Sequence, residues 1–202
     1  ISLPNNFAAE ATLMGLKKGA HVFCEKPPSK SLNELKPIQE FMRDSDLKLM
    51  YGFNHRFHSS VIKAREIVKE KKLGKVINMK GTYGKSKMIS FNQTDWRTDR
   101  SKSGGGILLD QGIHMLDLMN YFGGGFNQVF SIIQNSFWNY DVEDNAFILM
   151  QNDEGLVAQL HSSATQWRHT FNLEMTFERG SLILGGLLTS SKSYGAVSYT
   201  HL

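Results

Sequence analysis

The chain has 202 residues, enough to bury one ordinary core or one domain with part of a second. Hydrophobic residues at 41% and charged residues at 21% match an average globular protein and exclude a fibre, a disordered tail or a low-complexity segment. The net charge of +4 is spread along the chain apart from Lys69, Lys71, Lys72 and Lys75, so it does not point to nucleic acid.

The opening residues Ile1-Ser2-Leu3-Pro4-Asn5 read as the end of a buried strand entering a helix. Phe7, Ala11, Met14 and Leu16 then recur at near-helical spacing over residues 7–18, and Gly19 supplies the stop. A strand is expected over 21–25, ended by Pro27-Pro28. Cys24, the single cysteine, is expected inside it as a buried side chain in a reducing compartment. Ser31-Leu32-Asn33-Glu34 fits a capping box for a second helix carrying Leu35, Ile38, Phe41 and Met42. Residues 47–53 form another apolar run, and the resulting order of strand, helix, strand, helix, strand predicts a parallel, helix-covered sheet.

The pattern changes after Phe53. A helix is expected over 59–72, with the lysine group at its C-terminal end where cations favour the helix dipole. A strand over 75–83, a loop over 84–103 and a helix over 106–122 follow. Beta-rich runs at 129–138, 145–151, 156–162, 172–178 and 181–188 come next, with turn residues at 152–155 and 178–180 predicting two hairpins. Phe171, Leu173, Met175 and Phe177 alternate with polar residues, as in a strand with one buried face. The fold class expected is therefore α/β followed by α+β with an open, mainly antiparallel sheet, divided at 1–53 and 54–195. The run 196–202 shares no periodicity with what precedes it and reads as an appended, non-native tail. No apolar run approaches the roughly 18 to 20 residues of a membrane helix, and no leader pattern is visible, so a cytoplasmic protein without a membrane partner is expected.

Asp110 and His114 are four residues apart, on one face of the expected helix, and Asp117 and Tyr121 continue that stripe. Ile107, Leu108, Met115, Leu118 and Met119 would form its buried sides, so the stripe lines a cleft. An imidazole with an ordinary pKa near about 6.5 accepts a proton at neutral pH, and a carboxylate beside it can orient it. A hydrogen-bonded His–Asp pair that merely packs helix to sheet is the structural alternative. Lys26 follows a strand and precedes two prolines, which places it at the carboxyl end of a parallel sheet, where ligands of open α/β sheets bind. There an ammonium can stabilise a developing alkoxide; a solvated loop lysine is the other reading. Gly104-Gly105-Gly106 permits a positive φ or a close backbone approach, and a plain flexible loop fits as well.

Several motifs in order resemble the Gfo/Idh/MocA family of nicotinamide-dependent sugar oxidoreductases. They are Leu3-Pro4-Asn5, Glu25-Lys26-Pro27, the segment Gly52-Phe53-Asn54-His55-Arg56-Phe57 and the run GGGILLDQGIH over 104–114. The resemblance implies that His114 is the general base on a substrate hydroxyl, with Lys26 and Asp110 polarising that hydroxyl and orienting the base. It implies cofactor contacts from Pro4, Asn5, Glu25, Lys26, Trp96 and Arg97, the last two in the segment Asp95-Trp96-Arg97, and substrate contacts from His55 and Asp117. No metal is implied. The cofactor would be NAD or NADP, and the first 53 residues would be the C-terminal part of a Rossmann domain. Ala8 stands where family members often have a histidine. The GxGxxG turn and the acidic residue that reads the ribose do not occur, so roughly 80 to 120 residues of a first Rossmann half are expected to precede this sequence.

The run HSSATQW over 161–167 and Ser136-Phe137-Trp138-Asn139 resemble members that act on nucleotide-linked sugars. Lys85, Lys87, Arg97, Arg100 and Lys102 could meet a carboxylate or diphosphate, or form a solvated basic loop. The function expected is hydride transfer between a sugar or nucleotide-sugar CH–OH group and NAD(P). An NAD-dependent glycoside hydrolase and a non-catalytic nicotinamide-binding regulator are the alternatives. A homodimer or homotetramer is expected by resemblance.

Overall fold

Alternation along the first 53 residues yields two short parallel strands covered by two helices. The computed structural model describes residues 1–86 and 96–186, together with the backbone of 195–200. Helix α1 (Asn5–Lys17), strand β1 (Val22–Cys24), helix α2 (Leu32–Arg43) and strand β2 (Leu49–Tyr51) follow in order, with β1 and β2 paired in parallel. Ile1 lies beside β1: its nitrogen donates to Phe23 O at 2.7 Å, and Glu25 N donates to Ile1 O at 2.9 Å. Such bonds belong to a parallel ladder, as the opening residues predict. Ala8, Ala9, Leu16, Val22, Cys24 and Ile38 form a small core of their own. The capping box does not form. Ser31 makes no side-chain cap bond, and Glu34 instead accepts from Lys30 N at 3.0 Å.

A 3-10 turn over Asn54–Phe57 leads to helix α3 (Ser59–Lys69) and strand β3 (Val76–Gly84). The expected loop holds a 3-10 turn at Trp96–Thr98 and a short helix α4 (Arg100–Ser103). The helix expected over 106–122 is divided into a π-helical turn, Leu108–Gly112, and helix α5 (Ile113–Gly123). Strands β4 (Gln128–Gln134), β5 (Asn145–Gln151), β6 (Val157–Ser163), β7 (Thr170–Phe177), β8 (Gly180–Gly185) and β9 (Gly195–Thr200) complete the chain.

Strands β3 to β9 form one sheet in the order β4-β5-β6-β3-β7-β8-β9. Both predicted hairpins, β5–β6 and β7–β8, are present, and only β3–β6 is parallel. Residues 196–200 of the expected tail lie in β9, paired with β8. One face of the sheet carries α3 and α5 over a core that includes Met79, Met115, Leu118, Met119, Leu160, Leu173 and Met175. On the opposite face Phe130, Ile132, Phe147 and Leu149 are exposed among the described residues.

Two glycines of the 104–106 run are required by packing. Gly104 ends α4 at φ +82°, and a Cβ there would meet Lys30 O at 2.4 Å. A Cβ on Gly106 would meet Glu143 O at 2.1 Å. The run thus serves the crossing of backbone segments that seats the π turn. No helix among the described residues is long and apolar enough to cross a membrane.

Candidate active site

Three segments meet at the carboxyl ends of β1 and β2. The turn after β1 brings Lys26, the 3-10 turn after β2 brings His55, and the π turn with the start of α5 brings Asp110 and His114. The π turn adds a residue to the helical circuit, a distortion frequent at functional sites, and it separates the roles of the last two residues.

Asp110 faces cations. Lys85 Nζ lies 3.2 Å from Oδ2, Arg97 Nε 3.6 Å from Oδ1 and Lys26 Nζ 3.7 Å from Oδ1, while Lys26 Nζ also donates to the Asp110 carbonyl oxygen. Burial opposes ionisation of this carboxyl, but Lys85, Lys26 and Arg97 outweigh it and hold the pKa below the ordinary carboxylate value. Lys26 is itself largely buried, and that burial lowers its pKa against the pull of Asp110. No hydrogen bond joins Asp110 to His114. Within the π turn Asp110 faces Lys26, Lys85 and Arg97, so the expected orienting of the base by Asp110 is not made through a direct hydrogen bond.

His114 is positioned by His55. Their rings stack at 4.0 Å between centroids and 19°, with Phe53 meeting His114 edge-on at 6.1 Å. His55 is fully buried, its Nδ1 bonded to Asn54 Oδ1 at 2.9 Å, and Tyr83 and Phe171 pack around it. Burial, then the neighbouring His55, then Lys26 lower the His114 pKa to about 2, and burial with His58 and Lys26 lowers that of His55 to about 4. Both rings are neutral at physiological pH, the state in which an imidazole accepts a proton. Burial pushes the Tyr83 phenol up, with Asp110 adding to the shift.

These histidines make stability depend on acidity. Both folded-state values lie below the ordinary one, so below about pH 6.5 the unfolded chain binds more protons than the folded chain. Stability is complete above that pH and falls as the solution is acidified. For His55 the loss approaches about 3 kcal/mol by about pH 4. Urea unfolding at neutral and acid pH should show this decline, and His55→Phe should flatten it; equal slopes in both proteins would contradict the assignment.

Asp117, expected to contact substrate, is buried and takes both the Nε, at 2.7 Å, and the Nη2 of Arg56, whose guanidinium also lies 5.0 Å from the Tyr121 ring centroid. The pair ties the turn carrying His55 to the helix carrying His114. Sequence reasoning passed over Arg56, although a buried aspartate on an apolar helix calls for a cation and Arg56 adjoins His55. Arg56→Leu would leave Asp117 buried without its partner. Because Arg56 is 40% exposed, the expected loss is about 2 kcal/mol, at the low end for a broken buried pair. Urea unfolding measures it, with Arg56→Lys expected to recover part.

The remaining candidates are spread around this cluster. Pro4 caps α1, and Asn5 is buried with Nδ2 donating to Ser103 O at 2.8 Å. Glu25 is exposed, its carboxylate lying over Gly52. Arg97 stacks on Trp96 at 4.6 Å. Asp95 and Lys87 lie outside the described residues. Lys102 pairs with Asp99 at 3.0 Å, and Arg100 Nε donates to Asp141 O at 3.0 Å, so these two cations have partners away from the cluster. His161 bonds Asn145 Oδ1 at 3.1 Å and stacks on Phe147 at 4.1 Å, which places it in the sheet. His169, also passed over, stacks parallel to Tyr83 at 6.2 Å.

A nicotinamide cofactor fits this edge. Ligands of open α/β sheets sit beyond the carboxyl ends of the strands, where Lys26 and the start of α1 are. The buried His114 Nδ1 and Asn6 Oδ1 have no partner among the described residues, and a polar ligand would satisfy them.

Residues 1–53 match an oxidoreductase family with an NAD-binding Rossmann fold, and residues 61–183 match the GFO/IDH/MocA C-terminal domain. Among curated relatives, D-glucoside 3-dehydrogenase of Escherichia coli is 32% identical over 177 residues, covering 79% of this chain and 50% of the relative. Levoglucosan dehydrogenase of Pseudarthrobacter phenanthrenivorans is 29% identical over 134 residues, covering 66% and 34%. The chain therefore spans half or less of the length of these relatives. A solved structure of levoglucosan dehydrogenase in complex with NADH and levoglucosan superposes with a TM-score of 0.86 at 22% identity, over 98% of this chain and 59% of that one, a likeness of fold. With the C-terminal domain matched over more than half its residues, the chain belongs to the GFO/IDH/MocA family.

Proposed function

We propose that the whole protein transfers a hydride between a CH–OH group of a sugar and NAD(P). The observation that carries this reading is the neutral His114 imidazole beside the largely buried Lys26 ammonium, at the carboxyl edge of the parallel strands. Bound NAD(P) would take the C–H electron pair as hydride, leaving a carbonyl on the sugar carbon. His114 accepts the hydroxyl proton as the C–H bond breaks. Lys26 stabilises negative charge developing on the oxygen, and Asp110 holds Lys26 in place. Pro4, Asn5, Glu25, Lys26, Trp96 and Arg97 would hold the cofactor. Relatives named as glucoside and levoglucosan dehydrogenases support a sugar as substrate. The test is net formation of reduced nicotinamide by the full-length protein across a panel of sugars and glycosides. Release of sugar from a glycoside with no net reduction of cofactor would replace this reading with a hydrolase.

The protein would work as a homodimer or homotetramer, joined through the sheet face opposite α3 and α5. There Phe130 pairs with Leu149 and Ile132 with Phe147, all four exposed, and every residue of β4 is exposed. An apolar patch of this kind marks an interface. Light scattering should find an oligomer that Ile132→Glu dissociates, and a wild-type monomer would contradict the proposal.

A further inference from the structure

A cleft next to the catalytic cluster is left unused by the chemistry above. Its volume is about 440 Å³, and Ser86, Phe137, Trp138, Thr165, Gln166 and Trp167 line it, a size within the range of small-molecule sites. The cleft is built on the elements that hold the cluster. Gln166 N donates to the backbone oxygen of Lys85 at 3.0 Å, and the ammonium of the same lysine reaches Asp110 at 3.2 Å. On the other side Trp138 packs in a cluster with Ile107, the residue that enters the π turn, and its Nε1 donates to Ala164 O at 2.8 Å. The cleft and the Asp110 carboxylate thus share two supports, the Lys85–Gln166 backbone pairing and the Ile107 end of the π turn.

The lining selects a type of group. Three aromatic side chains supply the surface, and hydroxyl and amide groups of Ser86, Thr165 and Gln166 supply hydrogen bonds. Among the described lining residues none is charged, and the aromatic rings supply most of the surface. Phe137 at 72% and Trp167 at 96% exposure keep apolar ring surface in water, and a planar or apolar ring laid against them would remove it.

We propose that this cleft holds the aglycone ring of a glycoside whose sugar lies at Lys26 and His114. The substrate class is then a glycoside bearing an aromatic or apolar ring. The proposal rests on the reading of the catalytic cluster as a sugar site.

Calorimetric titration of the full-length protein with reduced cofactor present, using phenyl and methyl glycosides of glucose, galactose and mannose, tests it. For at least one sugar the phenyl glycoside should bind about tenfold more tightly than the methyl glycoside. Phe137→Ala and Trp167→Ala, both at exposed positions, should each bring that ratio to within about threefold. A ratio near one for every sugar, absence of phenyl glycoside binding, or a ratio unchanged in both variants overturns the proposal. So does a Trp167→Ala protein that loses a subunit contact by light scattering while keeping the ratio, which would assign the rings to a second copy. Cofactor reduction is scored separately, and its failure would remove the dehydrogenase reading while leaving the affinity ratio to stand or fall by itself.

Discussion

His114→Asn in the full-length protein should lower kcat by about 10²- to 10⁴-fold, the usual contribution of a positioned general base. The loss should fall on kcat more than on KM, because the imidazole acts on the proton only as the C–H bond breaks. Folding should suffer far less. His114 Nδ1 is buried without a partner among the described residues, so removing the ring should change the unfolding free energy by no more than about 2 kcal/mol. Steady-state kinetics and urea unfolding on the same preparation check both. A variant within about threefold of wild-type kcat would place the base elsewhere.

Lys26→Met should lower kcat by about 10²- to 10³-fold, the effect of deleting one donor aimed at a developing oxyanion. Its expected effect on stability is small for a specific reason. Loss of the 3.7 Å pair to Lys26 would leave Asp110 with Lys85 at 3.2 Å and Arg97 at 3.6 Å, so its carboxylate remains compensated, and the hydrogen bond lost is the one to its carbonyl oxygen, about 1 kcal/mol. Burial of the Lys26 ammonium, which lowers its pKa, is relieved at the same time. Lys26→Arg should restore part of the activity. If Lys26 were only a structural tether, the order would invert, with stability falling and kcat surviving.

Much of the scaffold is legible in local pattern. The alternation of Phe171, Leu173, Met175 and Phe177 fixes the inward face of β7, and the turn residues at 152–155 and 178–180 mark the two hairpins, because period and turn chemistry are local properties. The expected burial of Ile107, Met115, Leu118 and Met119 agrees with the structure for the same reason, while Leu108, also expected there, is only partly buried. The π turn was not legible. One extra residue in a helical circuit leaves the hydrophobic spacing nearly unchanged, and Asp110, inside that turn, meets Lys26 and Lys85. Long-range competition likewise escapes a local reading. Glu34 fits a capping box with Ser31 but goes to Lys30 N, and Asp117 fits a polar stripe but goes to an arginine 61 residues away in sequence. The stacking of His55 on His114 depends on the meeting of the turn after β2 with α5 in space.

Net cofactor reduction with a carbon-deuterated sugar tests the central claim most directly. The full-length protein should move deuterium from the sugar carbon to the nicotinamide, accumulate one reduced cofactor per carbonyl product, and lose this turnover in His114→Asn. Deuterium that stays on the sugar, or a His114→Asn protein that transfers it at the wild-type rate, would contradict the assignment of Lys26 and His114 as the groups that handle the hydroxyl.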